Sequence, residues 1–189
     1  MMTEYRSRSF SIGYVQPSDY EVLGRMTVDV YAGLPDMPGP EIQPEYYAML
    51  ADVGARAIGP GTEVLVAVSD AATLLGGVTF VRDMSVYNAC GNASTYTEYA
   101  GIRLLAVSPD ARRQGVGKAL TLACIHRAED LGRKGVVLHT TRAMAVAWQM
   151  YEGMGFQRCA DLDFKQGELQ VYGFCLDFKN REQEIDYDY

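Results

Sequence analysis

No stretch of this chain approaches the roughly 20 consecutive apolar residues that a membrane-spanning helix needs. The N-terminal MMTEYRSRSFSIGY carries basic residues but no apolar run of signal-peptide length behind them. Both absences lead us to expect a cytoplasmic protein with no membrane partner. Histidine is scarce, at two residues, and neither lies at metal-ligand spacing from a cysteine. The four cysteines Cys90, Cys124, Cys159 and Cys175 are widely separated and form no C-x-x-C pair, so no metal site is expected. They read as free core thiols, Cys124 in a helical apolar stripe and Cys175 in an apolar strand. Positive charge is in deficit as well: 17 Lys+Arg stand against 24 Asp+Glu, a formal net charge of -7. That balance repels nucleic acid and would welcome a cationic small molecule or a basic peptide end. Internal repeats and low-complexity tracts are missing too.

What is present is enough for one globular domain: 189 residues, 48% of them hydrophobic. Phe10, Ile12 and Tyr14 alternate with small or polar residues, the period of a half-buried strand that Pro17 ends. Ser18 to Glu21 reads as a capping box, and Val22, Met26 and Val30 fall on one helical face. The segment 33–44, rich in proline, reads as a loop of a length that is usually functional or disordered, with a second short helix over 45–56. Segments 63–69 and 74–82 read as a hairpin, 87–97 as a loop, and 99–107 as an apolar strand. A long helix begins near Gln114, with Val116, Leu120, Ala123, Cys124, Ala128 and Leu131 on one side, and Gly132 closes it. His126 falls among these core-facing positions, and His139 falls in a buried strand over 136–140. Both read as structural histidines. A helix over 143–152 and two strands around 157–164 and 168–178 complete a domain spanning 1–178, with an acidic, mobile tail over 179–189.

The informative stretch is Leu105-Ala106-Val107-Ser108-Pro109-Asp110-Ala111-Arg112-Arg113-Gln114-Gly115-Val116-Gly117-Lys118, where a strand breaks at proline and re-enters a helix through two glycines. Glycine lets backbone approach a bulky ligand at positive φ, and amides stacked at a helix N-terminus suit a phosphate or pyrophosphate. Arg112, Arg113 and Lys118 add positive charge. A Walker loop anchored on Gly117-Lys118 would need glycine at Arg112 and a hydroxyl at Ala119, and a dinucleotide fingerprint from Gly115 would need a small residue at Leu120. Spacing excludes both.

The remaining pattern, R-x-x-G-x-G after a strand ending V-x-P, resembles motif A of the GNAT superfamily of N-acetyltransferases. Ala147 to Phe156 is similar to that family's later helix, A-x-x-x-Y-x-x-x-G-F. The resemblance implies a central, mostly antiparallel twisted mixed α/β sheet of about seven strands flanked by about four helices. It implies acetyl-CoA as co-substrate, with no metal. Gln114, Gly115, Val116, Gly117 and Lys118 would hold its pyrophosphate with Arg112 and Arg113 alongside, and Leu105, Ala106 and Val107 would pair with the pantetheine arm. Tyr151 would lie near the thioester sulfur as the catalytic tyrosine. The acceptor, an amine of a small molecule or peptide, would enter over the first two helices and their loop, past Tyr31, Asp36, Glu45, Tyr46 and Tyr47. A homodimer is among the partners the resemblance allows.

Two positions depart from the family pattern. Gly101 stands where many members carry a glutamate, and Met144 where they carry an asparagine. Glu98 is the nearest carboxylate and the remaining candidate for a catalytic base. Its odd offset from Gly101 points it to the opposite face of a regular strand, so it serves only if a bulge intervenes, and otherwise reads as a solvated strand-end charge. The functions consistent with these residues are N-acetyl transfer to an amine, transfer of a larger acyl group, and coenzyme-A-dependent sensing without turnover.

Overall fold

The computed structural model describes residues 9–87 and 91–179, so Cys90 and the acidic tail beyond Lys179 lie outside the described residues. Thirteen helices and strands are used below: β1 (Phe10–Tyr14), α1 (Tyr20–Ala32), α2 (Pro44–Ala51), α3 (Val53–Ile58), β2 (Thr62–Ser69), β3 (Leu74–Val81), β4 (Ala100–Val107), α4 (Val116–Asp130), β5 (Gly135–Thr140), α5 (Ala145–Gly153), β6 (Gln157–Arg158), β7 (Phe164–Gln166) and β8 (Leu169–Asp177). One eight-stranded sheet runs in the order β1-β2-β3-β4-β5-β8-β6, with β7 added on β8. The β4–β5 pair is parallel and every other pair among the described residues is antiparallel.

The extra strand and the extra helix, relative to the sequence reading, have local causes. The Asp52 side chain accepts a hydrogen bond from the Ala55 amide at 2.9 Å, capping α3 and ending α2, so one expected helix becomes two. A 3₁₀ turn at Ala160–Leu162 divides the expected strand over 157–164 into β6 and β7. The capping box also moves. Pro17 starts a 3₁₀ turn and Asp19 accepts from the Gln16 amide at 3.1 Å, so Ser18 and Glu21 do not form the reciprocal pair.

One face of the sheet packs on α4, whose Val116, Ala119, Leu120, Ala123, Cys124, Ile125 and Ala128 are buried with Phe10, Ile12, Leu65, Phe80 and Leu138. Two expectations fail here. His126 is exposed, as is Leu131 at 37%, because both turn off the packed stripe as the helix ends. Arg127 clamps α4 to β2 through two 2.9 Å hydrogen bonds to Glu63. The opposite face carries α1, α2 and α3. There α1 buries Leu23, Gly24, Thr27 and Tyr31, while the Val22, Met26 and Val30 stripe is turned toward a cleft.

The reading of four free thiols is also corrected. Cys159 and Cys175 form a disulfide with Cα atoms 5.9 Å apart, between the end of β6 and β8. They are 16 residues apart in sequence, and only the antiparallel pairing of β6 with β8 brings them together. Cys124 is free and buried, as expected.

Candidate functional site

Backbone geometry at the centre of the sheet builds the site. β4 and β5 are partners only over Ala100–Ile102 and Val136–Leu138. Beyond that the register of β4 against β3 shifts between Gly77 and Thr79, and Leu104 takes a left-handed φ of 54°. A non-glycine residue there costs of order 1–3 kcal/mol and persists only where the surroundings hold it. Leu104 is held by Tyr31, Tyr47 and Leu50. The bulge turns β4 away from β5 and leaves the backbone of Leu105 to Val107 beside an opening.

That opening is a cleft of about 1500 Å³ lined by α1, the end of β4, the loop into α4, and α5 with the residues before it. Ordinary small-molecule pockets hold roughly 300–1,000 Å³, so the cleft suits a long ligand. The loop enters α4 through two left-handed residues, Arg113 (φ 62°) and Gly115 (φ 82°). A Cβ on Gly115 would meet nothing within 4 Å, so glycine is there for its backbone conformation and not for space. Ala119 is the first amide of the helix to reach a carbonyl, that of Gly115 at 2.9 Å. Among the described residues, the amides of 113–118 donate to no backbone carbonyl. Gln114 ties the loop down, its side-chain amide donating to the Asp110 carbonyl at 2.7 Å. Arg112, Arg113 and Lys118 are exposed around the amides. Free amides at a helix N-terminus with flanking cations fit a diphosphate. Two further groups are buried without a partner, the hydroxyls of Thr140 and Thr141, where β5 has already parted from β4. Neither residue carries a signal readable in sequence.

Of the other expected site residues, Tyr31 lines the cleft, and Tyr46 packs on it with ring centroids 6.4 Å apart. Tyr47 meets Tyr46 edge-on at 5.8 Å and donates to the Pro38 carbonyl at 3.1 Å, which places it in the scaffold of the loop. Burial pushes the Tyr46 phenol up to about 12 and also raises that of Tyr31 well above the usual phenol range. Tyr151 of α5 is buried against Phe156, and burial raises its phenol, with the neighbouring Cys124 and Tyr87 adding to the effect. Its hydroxyl has no protein hydrogen-bond partner among the described residues. Glu98 stands apart, at the start of β4. It pairs with Lys134 at 2.5 Å, is 63% exposed, and does not line the cleft.

Gly101 acquires a meaning that the sequence does not reveal. A Cβ on it would overlap the ring of Tyr87. Tyr87 therefore fills the space that a side chain at 101 would take. Its hydroxyl lies 2.9 Å from His139 Nδ1, while His139 Nε2 lies 2.9 Å from the Leu162 carbonyl. A carbonyl only accepts, so Nε2 carries the proton and Nδ1 receives the Tyr87 hydrogen. Burial holds the His139 imidazole below the usual histidine range, the Leu162 carbonyl opposing it in part. A neutral imidazole with this tautomer can take up a proton relayed through Tyr87. His139 is half-buried and Tyr87 fully so, and sequence reasoning missed the pair because they lie 52 residues apart.

A model of the acetyltransferase (GNAT) family matches residues 30–156, from α1 through the end of α5. Mycothiol acetyltransferase of Pseudarthrobacter chlorophenolicus is 38% identical over 69 residues, 36% of this chain and 21% of that protein. A protein described as probable N-acetyltransferase family 8 member 5 of Mus musculus is 36% identical over 74 residues, 39% of this chain and 31% of the relative. The chain thus spans about a fifth to a third of the length of these curated relatives. In fold, an acetyltransferase of the GNAT family from Staphylococcus aureus Mu50 superposes with a TM-score of 0.66 at 17% identity, over 89% of this chain and 99% of the other. A yncA structure from Salmonella typhimurium with its cofactor acetyl-CoA gives 0.64 at 16% identity, over 89% and 93%. The strand-loop-helix with free amides, the splayed β4 and β5, and a family match over more than half the sequence converge: the chain belongs to the GNAT acetyltransferase family.

Proposed function

We propose that this protein transfers the acetyl group of acetyl-CoA to a primary amine of a small molecule or peptide, by direct attack with both molecules bound. The observation that carries the reading is the run of amides over 113–118, free of backbone acceptors and flanked by Arg112, Arg113 and Lys118, at the head of a 1500 Å³ cleft. Acetyl-CoA supplies an activated thioester. The chain's own residues bind it, position the amine and manage protons. Gln114 to Lys118 hold the diphosphate through backbone N–H groups, and Leu105 to Val107 present strand backbone to the pantetheine arm.

An amine with a pKa of about 10.4 is almost wholly protonated at neutral pH, so a proton must leave before or during attack. We assign its uptake to Tyr87 and His139, which occupy the place where a carboxylate at position 101 would stand. Glu98 is committed to Lys134 at the strand end and is left without a step. As the new C–N bond forms and the C–S bond breaks, the Tyr151 hydroxyl donates a hydrogen bond to the departing sulfur. That bond strengthens as charge builds there, which lowers the barrier without full proton transfer. We also place the protein in the cytoplasm; among the described residues no helix is long and apolar enough to cross a membrane.

The test is thiol release from acetyl-CoA across a panel of small amines and short peptides. Amine-dependent release, with N-acetylated product by mass spectrometry, is the expected result. Tight coenzyme binding with no release by any amine would leave a coenzyme-A sensor in its place, and faster release from succinyl-CoA would move the reading to a larger acyl group.

A further inference from the structure

Arg103 lies on β4 one alternation past Gly101, half-buried, in the middle of the face that carries α1 and α2. Its guanidinium donates to the Tyr87 carbonyl and lies 5.3 Å from the centroid of the Tyr87 ring. Tyr31, Tyr46, His139 and Arg56 also feel its charge. None of these is an anion at neutral pH, and Arg56 is itself cationic, donating to the carbonyls of Met49, Leu50 and Asp52. Four arginine or lysine side chains of the described residues pair with carboxylates, namely Arg25, Arg127, Lys134 and Arg158. Arg103 has no carboxylate within 4.0 Å among the described residues, in a chain with an acidic excess.

A guanidinium taken partly out of water beside neutral phenols and a second cation is electrostatically unfavourable unless an anion joins it. Its planar fork matches a carboxylate in two parallel hydrogen bonds. Tyr31 connects it to the cleft, because Tyr31 both lines the cleft and feels the charge of Arg103. The residues that would take the amine's proton adjoin it too, since Arg103 sits over Tyr87. An acceptor held against Tyr31 would thus have a cationic group within its own length.

We propose that the acceptor is an amine that also bears a carboxylate, of the amino-acid class, and that Arg103 binds that carboxylate. The proposal rests on the acetyltransferase reading for its chemistry, and it reverses the preference for cations that net charge alone implies. The tyrosines Tyr31 and Tyr46 then serve as walls against the acceptor's side chain and not as a cage for a second positive charge.

Matched triples test it: an amino acid, its α-amide, and the amine left after decarboxylation, over several side chains. The acids should be turned over with the lowest KM. Arg103→Gln should raise the KM for the acids by about 10- to 100-fold, the range expected for a lost charge-assisted hydrogen bond. Acetyl-CoA affinity should hold, any change in kcat through Tyr87 should be shared by all three members of a triple, the rise in KM should fall on the acids far more than on amides and plain amines, and Arg103→Lys should recover part of it. Titration calorimetry of the same triples into the protein saturated with coenzyme A reads recognition without turnover. If no amine releases thiol but acids still bind more tightly than amides and lose that margin in Arg103→Gln, the acetyltransferase reading fails while this assignment stands. If amides and plain amines bind and react as well as acids, or if Arg103→Gln weakens all three alike, the assignment is overturned.

Discussion

The roles proposed for Tyr151 and His139 are opposite ones, and each can be measured at the single residue. The Tyr151 phenol is raised by burial, so it is a hydrogen-bond donor that stays protonated across the working range. Tyr151→Phe keeps the ring and its contact with Phe156, so folding and coenzyme affinity should hold while kcat falls by about 100- to 1000-fold, the scale of one lost transition-state donor. Steady-state kinetics beside an equilibrium coenzyme titration checks this; an unchanged kcat across several amines removes Tyr151 from the chemistry. His139 must be neutral to accept a proton. Tyr87, Arg103, Arg158, Asp163 and the Leu162 carbonyl face it, and burial prevails, holding its pKa below the usual histidine value. A lowered pKa means that the base form persists on acidification, so kcat/KM should decline only as pH drops below the ordinary histidine range. His139→Gln should flatten that limb as well as lower the rate. A limb that stays in place in His139→Gln would assign the proton to another group.

At the scale of elements, α1 packs closely on the end of α2. A Cβ on Gly24 would overlap the Ala51 carbonyl, so glycine there sets the distance between the two helices. Gly24→Ala should therefore force α2 outward, costing about 1–3 kcal/mol as in other overpacked sites, although alanine is the better helix former. Urea denaturation reads the loss, and the KM for the acceptor should rise because Tyr46 and Tyr47 travel with α2 while the acetyl-CoA affinity holds. An unchanged stability would show that the helices can part freely. The same element shows what was legible in sequence. The period of α1 was readable, yet Val22, Met26 and Val30 face the cleft and the core takes Leu23, Gly24, Thr27 and Tyr31, because one apolar stripe does not say which partner it meets. The strand, proline and double glycine of the loop before α4 were readable because each acts through local backbone geometry. Leu104 at positive φ was not, since leucine carries no preference for it and only the packing of Tyr31, Tyr47 and Leu50 imposes it. The Cys159–Cys175 bond and the Tyr87–His139 contact were hidden for the related reason that strand order, and not spacing, brings them together.

For the molecule as a whole, the cleft is lined by four separate elements: α1, the bulged end of β4, the head of α4 and α5. A ligand held by all of them binds the folded chain and not the unfolded one, so at about 100 times its Kd acetyl-CoA should add about 2.7 kcal/mol. For a domain of this size that is a rise in Tm of roughly 5 to 10 °C. Two contributions to the grip can be separated. Arg112, Arg113 and Lys118 are exposed, so their attraction for the diphosphate is screened within a Debye length of about 3 Å at 1 M salt. The amides of 113–118 form short-range hydrogen bonds that salt disturbs much less. Coenzyme affinity should accordingly weaken as salt is raised and then level off. S-acetylpantetheine, which lacks the diphosphate, should give little of the thermal shift at any salt. If it matched acetyl-CoA, or if affinity vanished at high salt, the backbone of the loop would not be what holds the coenzyme.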